Sequence, residues 1–363
     1  MVKKHSVALI LPYYGKFPNY FPLWLKTAGY NKKFDFFVFT DADYSCYEIP
    51  ENVHFFESTF DDIKSRIGQY LDFKFVLESP YKLCDYKPLY GLVFHDYLQD
   101  YEFWGHVDPD IIWGDMSKFI TDYILDNYDR IYQRGHLTIY RNTDKINNFV
   151  LHKLPNYNIS YRDVYKVPFL MYIEESALTE NLFSNFAVGG GGHNRQFDSV
   201  DCADLYERWE PFYCYRYGML SENLPAFVWD KGTITGLALY GDPARTQEYL
   251  YIHLQKRQMK FDDSIAKLDK FMILPTEFTE FHDLTREEID DLMKPNPEYE
   301  RRHNEKYNTP KIPNVSKWNI IGRIKNFFKR SPIERIIRIK GRWNQFRKRR
   351  LRSRWSGEWR GQF

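Results

Sequence analysis

Tyr101-Glu-Phe-Trp-Gly-His-Val-Asp-Pro-Asp-Ile-Ile-Trp-Gly114 is the stretch on which the reading of the fold turns. An apolar run, 103–107, ends in Asp108-Pro109-Asp110, and a second apolar run follows. Short apolar runs bounded by polar residues are what strands buried on both faces look like. Two carboxylates one residue apart at the end of such a strand can converge on a hard divalent cation. Taken alone the pattern is weak, because acidic pairs are common in surface turns.

Residues 7–11 and 34–39 are also short, apolar and bounded by turn or polar residues. Residues 53–57 make a third strand candidate before 103–107. Helical patterns fall between them, at 22–29, 61–70 and 87–99. This β-α-β-α-β rhythm predicts an α/β protein with an open, mostly parallel sheet and helices on both faces. In such sheets ligands sit at the carboxyl ends of the strands, where Asp108 and Asp110 fall.

Bulk composition is compatible with that. The 363 residues are 43% hydrophobic and 18% aromatic, enough for a sizeable core, and global disorder is excluded. Cys46, Cys84, Cys202 and Cys214 show no metal-ligand spacing and read as thiols of a reducing compartment. The N-terminal apolar run is too short for a signal peptide and stops at Pro12, and no stretch has the length of a membrane span. A cytosolic protein is expected.

Charge divides the chain. Residues 316–363 hold 16 Lys and Arg against Glu334 and Glu358, so this tail carries +14. With a net charge of +2 overall, the remaining body is −12. Ile320, Ile321, Ile324, Phe327 and Phe328 lie on one helical face of the tail among arginines and lysines. That is the pattern of an interfacial helix on an anionic membrane, with no nucleic acid expected because the body is acidic. Peripheral association with the inner face of the cell membrane is therefore expected. The expected organisation is an α/β domain at 1–292, a polar, Pro-rich linker at 293–315 and the basic amphipathic tail at 316–363. Gly189-Gly190-Gly191-Gly192 lies in the least structured stretch of the body, and it lacks the framework of a phosphate loop.

Five stretches together go beyond the acidic pair: Leu9-Ile-Leu-Pro-Tyr-Tyr-Gly-Lys-Phe-Pro-Asn-Tyr-Phe21, Phe37-Val-Phe-Thr-Asp41, Pro80-Tyr-Lys-Leu-Cys-Asp-Tyr-Lys-Pro88, Phe103 to Asp110, and Tyr249-Leu-Tyr-Ile-His-Leu-Gln-Lys-Arg257. In order and spacing, residues 1–257 resemble a bacterial family of glycosyltransferase-like proteins with the GT-A fold and a DxD motif. Pro109 stands where other members tend to have Leu.

The resemblance implies a role for each stretch. Tyr13 or Tyr14 would stack on the base of a nucleotide, and Asp41 would accept from uracil or ribose. Asp85 would bind the ribose or orient basic groups, with Lys82 or Lys87 neutralising phosphate or donor sugar. Asp108 and Asp110 would hold Mn²⁺ (or Mg²⁺) with His253 as third ligand, a donor set that suits Mn²⁺. Lys256, followed by Arg257, would meet the diphosphate. Glu174 and Glu175, after the apolar stretch 167–173, are candidates for the base that deprotonates an acceptor hydroxyl.

The function implied is metal-dependent transfer of a sugar from a nucleotide-sugar, UDP by analogy with DxD-bearing relatives. The acceptor would be a glycan or lipid-linked acceptor of bacterial surface polysaccharide synthesis. Two other functions stay open at this point: a nucleotidyltransferase of similar sheet topology, and a non-catalytic nucleotide- or glycan-binding module at the membrane.

Overall fold

The computed structural model of the protein describes residues 4–152, 160–176, 179–180, 182–183, 195–204, 212–237, 247–255 and 257–294. The Gly-rich stretch 189–192, Lys256, the tail 316–363 and all but the first two residues of the linker lie outside the described residues.

The first half builds the expected sheet. Strands β1 (Val7–Pro12), β2 (Phe34–Thr40), β3 (Val53–Glu57) and β4 (Phe103–Val107) alternate with helices α1 (Phe21–Gly29) and α2 (Phe60–Gly68). Further along lie β5 (Ile111–Trp113), β6 (Arg130–Arg134), β7 (Leu137–Arg141) and β8 (Gln196–Phe197). The seven-stranded sheet runs β3-β2-β1-β4-β7-β6-β8. Its β3, β2, β1 and β4 are mutually parallel, while β7 is antiparallel to both β4 and β6.

Both faces are covered, which is why β1 reads as an unbroken apolar run rather than an alternation. Ala8 and Ile10 point into one core with Ile63 and Ile67 of α2. Val7, Leu9 and Leu11 point into another with Phe21, Trp24, Leu25 and Ala28 of α1. Helix α2 starts at a reciprocal cap: the Thr59 hydroxyl accepts from Asp62 N, and the Asp62 carboxylate accepts from Thr59 N at 2.7 Å.

The long helix expected at 87–99 is not there. Residues Pro80–Leu89 form a 3₁₀ segment, Tyr90–Val93 a single α turn and His95–Tyr97 another 3₁₀ turn. Pro88 removes an amide donor and disfavours α geometry at the residue before it, so the apolar spacing cannot propagate one helix.

The second half is β-rich in a way the sequence did not announce. It adds β9 (Cys202–Asp204), β10 (Phe212–Arg216), β11 (Met219–Leu224), β12 (Phe227–Asp230) and β13 (Thr233–Gly236). After them come β14 (Glu248–Tyr249), β15 (Tyr251–His253), β16 (Lys270–Ile273) and β17 (Phe278–Glu280). These make two five-stranded sheets, β11-β10-β9-β15-β5 and β14-β13-β12-β16-β17. The chain therefore leaves the first sheet at the end of β4, turns through Asp108-Pro109-Asp110, and enters the second sheet as β5. Among the described residues no helix is long and apolar enough to cross a membrane.

Candidate metal centre

The turn between β4 and β5 is held from several sides. Helix α1 lies against it: Trp24 Nε1 donates to the Asp108 carbonyl at 3.1 Å, and Thr27 Oγ1 accepts from Trp113 N at 3.2 Å. Asn31 donates to the Gly114 carbonyl at 2.9 Å and accepts from Met116 N at 2.8 Å. On the other side β15 pairs antiparallel with β5, His253 opposite Ile111, and Leu254 N donates to the Asp110 carbonyl at 2.8 Å. That register is what brings His253 back to the acidic turn.

Asp108, Asp110 and His253 offer one ligand atom each within 4.8 Å of one another. His253 Nε2 lies 3.6 Å from Asp110 Oδ1. The Asp110 side chain is 1% exposed and that of Asp108 is 21% exposed, so the group opens on one side only. Two carboxylate oxygens and an imidazole nitrogen, largely screened from water, fit a divalent cation. The nitrogen suits Mn²⁺ better than a purely oxygen-seeking ion.

Lys87 is built into the same centre. Its ammonium donates to Asp108 Oδ1 at 2.5 Å and to the Gly135 carbonyl at 2.7 Å. Burial works against its charge, but Asp108, Cys84 and Glu174 together outweigh that and raise its pKa, so a positive charge stands beside the acidic pair. His136, next to Gly135, stacks on His253 with centroids 3.9 Å apart and planes at 23°. Its Nε2 meets the Tyr251 hydroxyl at 2.8 Å. Burial, with the nearby His253, Arg134 and Lys87, pushes the His136 pKa well below the usual range and keeps the ring neutral.

The remaining expected residues fall at different distances from this centre. Tyr13 is half-buried, its ring stacked on Phe17 at 5.1 Å and its hydroxyl donating to the Lys16 carbonyl. Tyr14 is buried, edge-on to Phe60, with its hydroxyl 3.2 Å from Ser58 Oγ and its pKa pushed up to about 12 by burial. Tyr13 is thus the more exposed of the two rings. Asp41 is exposed and accepts from Gly15 N at 2.9 Å, tying the loop after β1 to the end of β2. Gly15 there has φ +99°, a conformation that favours glycine.

Lys82 and Asp85 are placed differently from a donor-binding pair. They are 1% and 0% exposed and pair at 2.7 Å. The Lys82 ammonium also donates to the carbonyls of Val164 and Phe169, and the Asp85 carboxylate accepts from Met171 N and Ile173 N. With their polar atoms committed to each other and to backbone, they fasten residues 164–173 against the 3₁₀ segment instead of facing a ligand.

Glu174 is buried in the turn Ile173–Glu175, whose first residue donates its amide to Asp85; Glu175 ends the same turn. Arg257 is buried and donates to the Pro275 carbonyl at 2.8 Å. Gly135, His136, Tyr251 and Trp24 were not singled out in the sequence, and no spacing there marks them.

A sequence family described as "Family of unknown function (DUF6625)" matches residues 9–282, about three-quarters of the chain. The chain belongs to that family. The match takes in every residue of the centre just described. No curated protein matches the sequence. Among solved structures, the galactosyltransferase LgtC in complex with donor and acceptor sugar analogues overlaps at a TM-score of 0.31 and 10% identity, over 54% of this chain and 75% of that one. An active-site mutant of LgtC overlaps at 0.35 and 9% identity, over 72% and 94%. Both overlaps are loose, and it is the geometry of the centre that bears on function.

Proposed function

We propose that this protein is a metal-dependent glycosyltransferase that takes a sugar from a nucleotide-sugar, a UDP-sugar, and passes it to a glycan or lipid-linked acceptor in bacterial surface polysaccharide synthesis. The observation that carries this reading is the convergence of Asp108, Asp110 and His253 at the carboxyl end of a parallel-sheet strand, with the Lys87 ammonium beside them.

Asp108, Asp110 and His253 would hold a divalent cation, Mn²⁺ in preference to Mg²⁺, which would supply positive charge against the diphosphate. The chain's own residues do the rest. Lys87, positive and immobile, favours the phosphate oxygens as their charge grows. The Tyr13 ring, backed by Phe17, offers a face to the base, and Asp41, fixed by Gly15 N, an acceptor to its edge or to the ribose. Lys256, outside the described residues, is proposed to meet the diphosphate. The acceptor hydroxyl proton is proposed to pass to a carboxylate of the 174–175 pair, with Glu174 buried in the turn Ile173–Glu175. The basic tail is proposed to hold the enzyme at the anionic inner leaflet, where lipid-linked acceptors are built.

The test is calorimetry of UDP binding with and without Mn²⁺, on wild type and Asp110→Asn. Mn²⁺-dependent binding by wild type and its loss in a variant that melts like wild type are expected. Equal binding by both proteins would remove the site from the argument. If wild type binds no UDP in either condition while GDP or CMP binds, the donor assignment is wrong and the metal assignment stands.

A further inference from the structure

Two large aromatic side chains, on the segments that carry Lys87 and Glu174, do not help to hold the core. Tyr81 is 48% exposed and Tyr172 is 54% exposed. Tyr81 lies on the 3₁₀ segment that also carries Asp85 and Lys87, and Tyr172 stands at the head of the turn that carries Glu174.

Tyr172 reaches this position through an uncommon backbone. Its φ is +51°, in the left-handed region that a bulky side chain rarely adopts. The cause is Asp85, whose buried carboxylate accepts from the amides on either side, Met171 N at 2.9 Å and Ile173 N at 3.3 Å. Bending two flanking amides onto one carboxylate requires a sharp reversal at the residue between them. Glycine would meet that requirement without strain, yet the position holds tyrosine with its ring turned to solvent. Glu174, two residues on in the same turn, is buried. One turn therefore delivers an inward carboxylate and an outward aromatic ring.

A pyranose has an apolar C–H face and a polar rim of hydroxyls. An exposed aromatic ring with a phenolic edge complements both, since the ring covers the C–H face and the hydroxyl meets the rim. We propose that Tyr81 and Tyr172 form the subsite for the sugar ring of the acceptor, placing its hydroxyl toward Glu174. This rests on the reading of the protein as a glycosyltransferase but concerns a different substrate from the one at the metal centre. Tyr172 and Tyr81 would be binding residues, and Asp85 with Lys82 the positioning pair behind them.

The experiment is saturation-transfer NMR with methyl glycosides of glucose, galactose and their N-acetylamino counterparts, run beside UDP–Mn²⁺ calorimetry on the same samples. Four full-length proteins are compared: wild type, Tyr172→Gly, Tyr172→Phe and Tyr81→Ala. Tyr172→Gly removes the ring and relaxes the backbone, so it is expected to melt close to wild type. At least one glycoside should bind wild type, with at least tenfold loss in Tyr172→Gly and Tyr81→Ala, partial retention in Tyr172→Phe, and unchanged UDP–Mn²⁺ binding throughout. Glycoside binding that survives Tyr172→Gly overturns the subsite, as does wild type that binds UDP–Mn²⁺ and none of the glycosides. Failure of UDP binding with the glycoside pattern intact strikes the donor reading instead.

Discussion

Replacing Lys87 with Met should move two affinities in opposite directions. Its ammonium neutralises part of the acidic pair through Asp108 at 2.5 Å, and it is held in place by the Gly135 carbonyl at 2.7 Å. Without it the centre gains a negative charge, so Mn²⁺ alone should bind more tightly to Lys87→Met than to wild type. UDP in the presence of Mn²⁺ should bind more weakly, because the diphosphate loses a charge-assisted hydrogen bond of about 1.5–3 kcal/mol, roughly ten- to hundredfold in affinity. The fold should suffer modestly. Breaking a buried ion pair from one side costs about 3–5 kcal/mol, but Asp108 is 21% exposed and regains water, which brings the expected cost nearer 1–3 kcal/mol.

Lys82→Met is the control. Both members of its pair are almost fully buried, so the full cost of about 3–5 kcal/mol applies to stability, while UDP affinity of the folded protein should hold. Denaturant titration gives the stabilities, and calorimetry with Mn²⁺ and then UDP gives the two affinities. If Mn²⁺ and UDP affinities fall together in Lys87→Met, or if Lys82→Met loses UDP binding while still folded, the division of labour between these lysines is wrong.

Three further outcomes are expected. Gly105→Ala in β4 would put a methyl 2.6 Å from the Thr138 carbonyl and 2.8 Å from Leu9 Cδ2, so a loss of about 1–3 kcal/mol should appear as a lower denaturant midpoint at unchanged slope. His136→Ala removes the ring stacked on His253 while leaving all three candidate ligands in the chain. It should weaken Mn²⁺ binding by about 10–100-fold, and calorimetry showing wild-type affinity would contradict a supporting role. The full chain should bind vesicles of anionic lipid and release them as salt rises past about 0.15 M, where the Debye length is about 8 Å. Equal sedimentation with neutral vesicles would count against the tail as an electrostatic anchor.

How far the sequence could be read depended on whether a feature was local. In β1 the absence of alternation already told that both faces are buried, and the two cores confirm it with Ala8 and Ile10 on one side and Val7, Leu9 and Leu11 on the other. The acidic turn was legible for the same reason. What was not legible depends on segments distant in the chain. Lys82 and Asp85, three residues apart, read as donor-binding groups, and only the packing of residues 164–173 over them makes the pair internal. Nor does Ile111-Ile-Trp113 show in sequence that it joins a different sheet from β4, because that depends on β15. Short strands such as Gln196–Phe197 and Glu248–Tyr249 carry too few residues for any periodicity to show.

The pairing of β5 with β15 also bears on when this centre can come into being. Its partners, Ile111 and His253, are about 140 residues apart, and closing so long a loop carries an entropic cost that only the completed sheet repays. During synthesis the parallel half of the first sheet can collapse with both aspartates in place while His253 has yet to be translated. A nascent chain of that kind has at most two of the three candidate ligands. Metal ions would then do little to guide early folding and would lock the two halves together only afterwards, so chelators present throughout refolding should leave its rate unchanged and lower only the final stability.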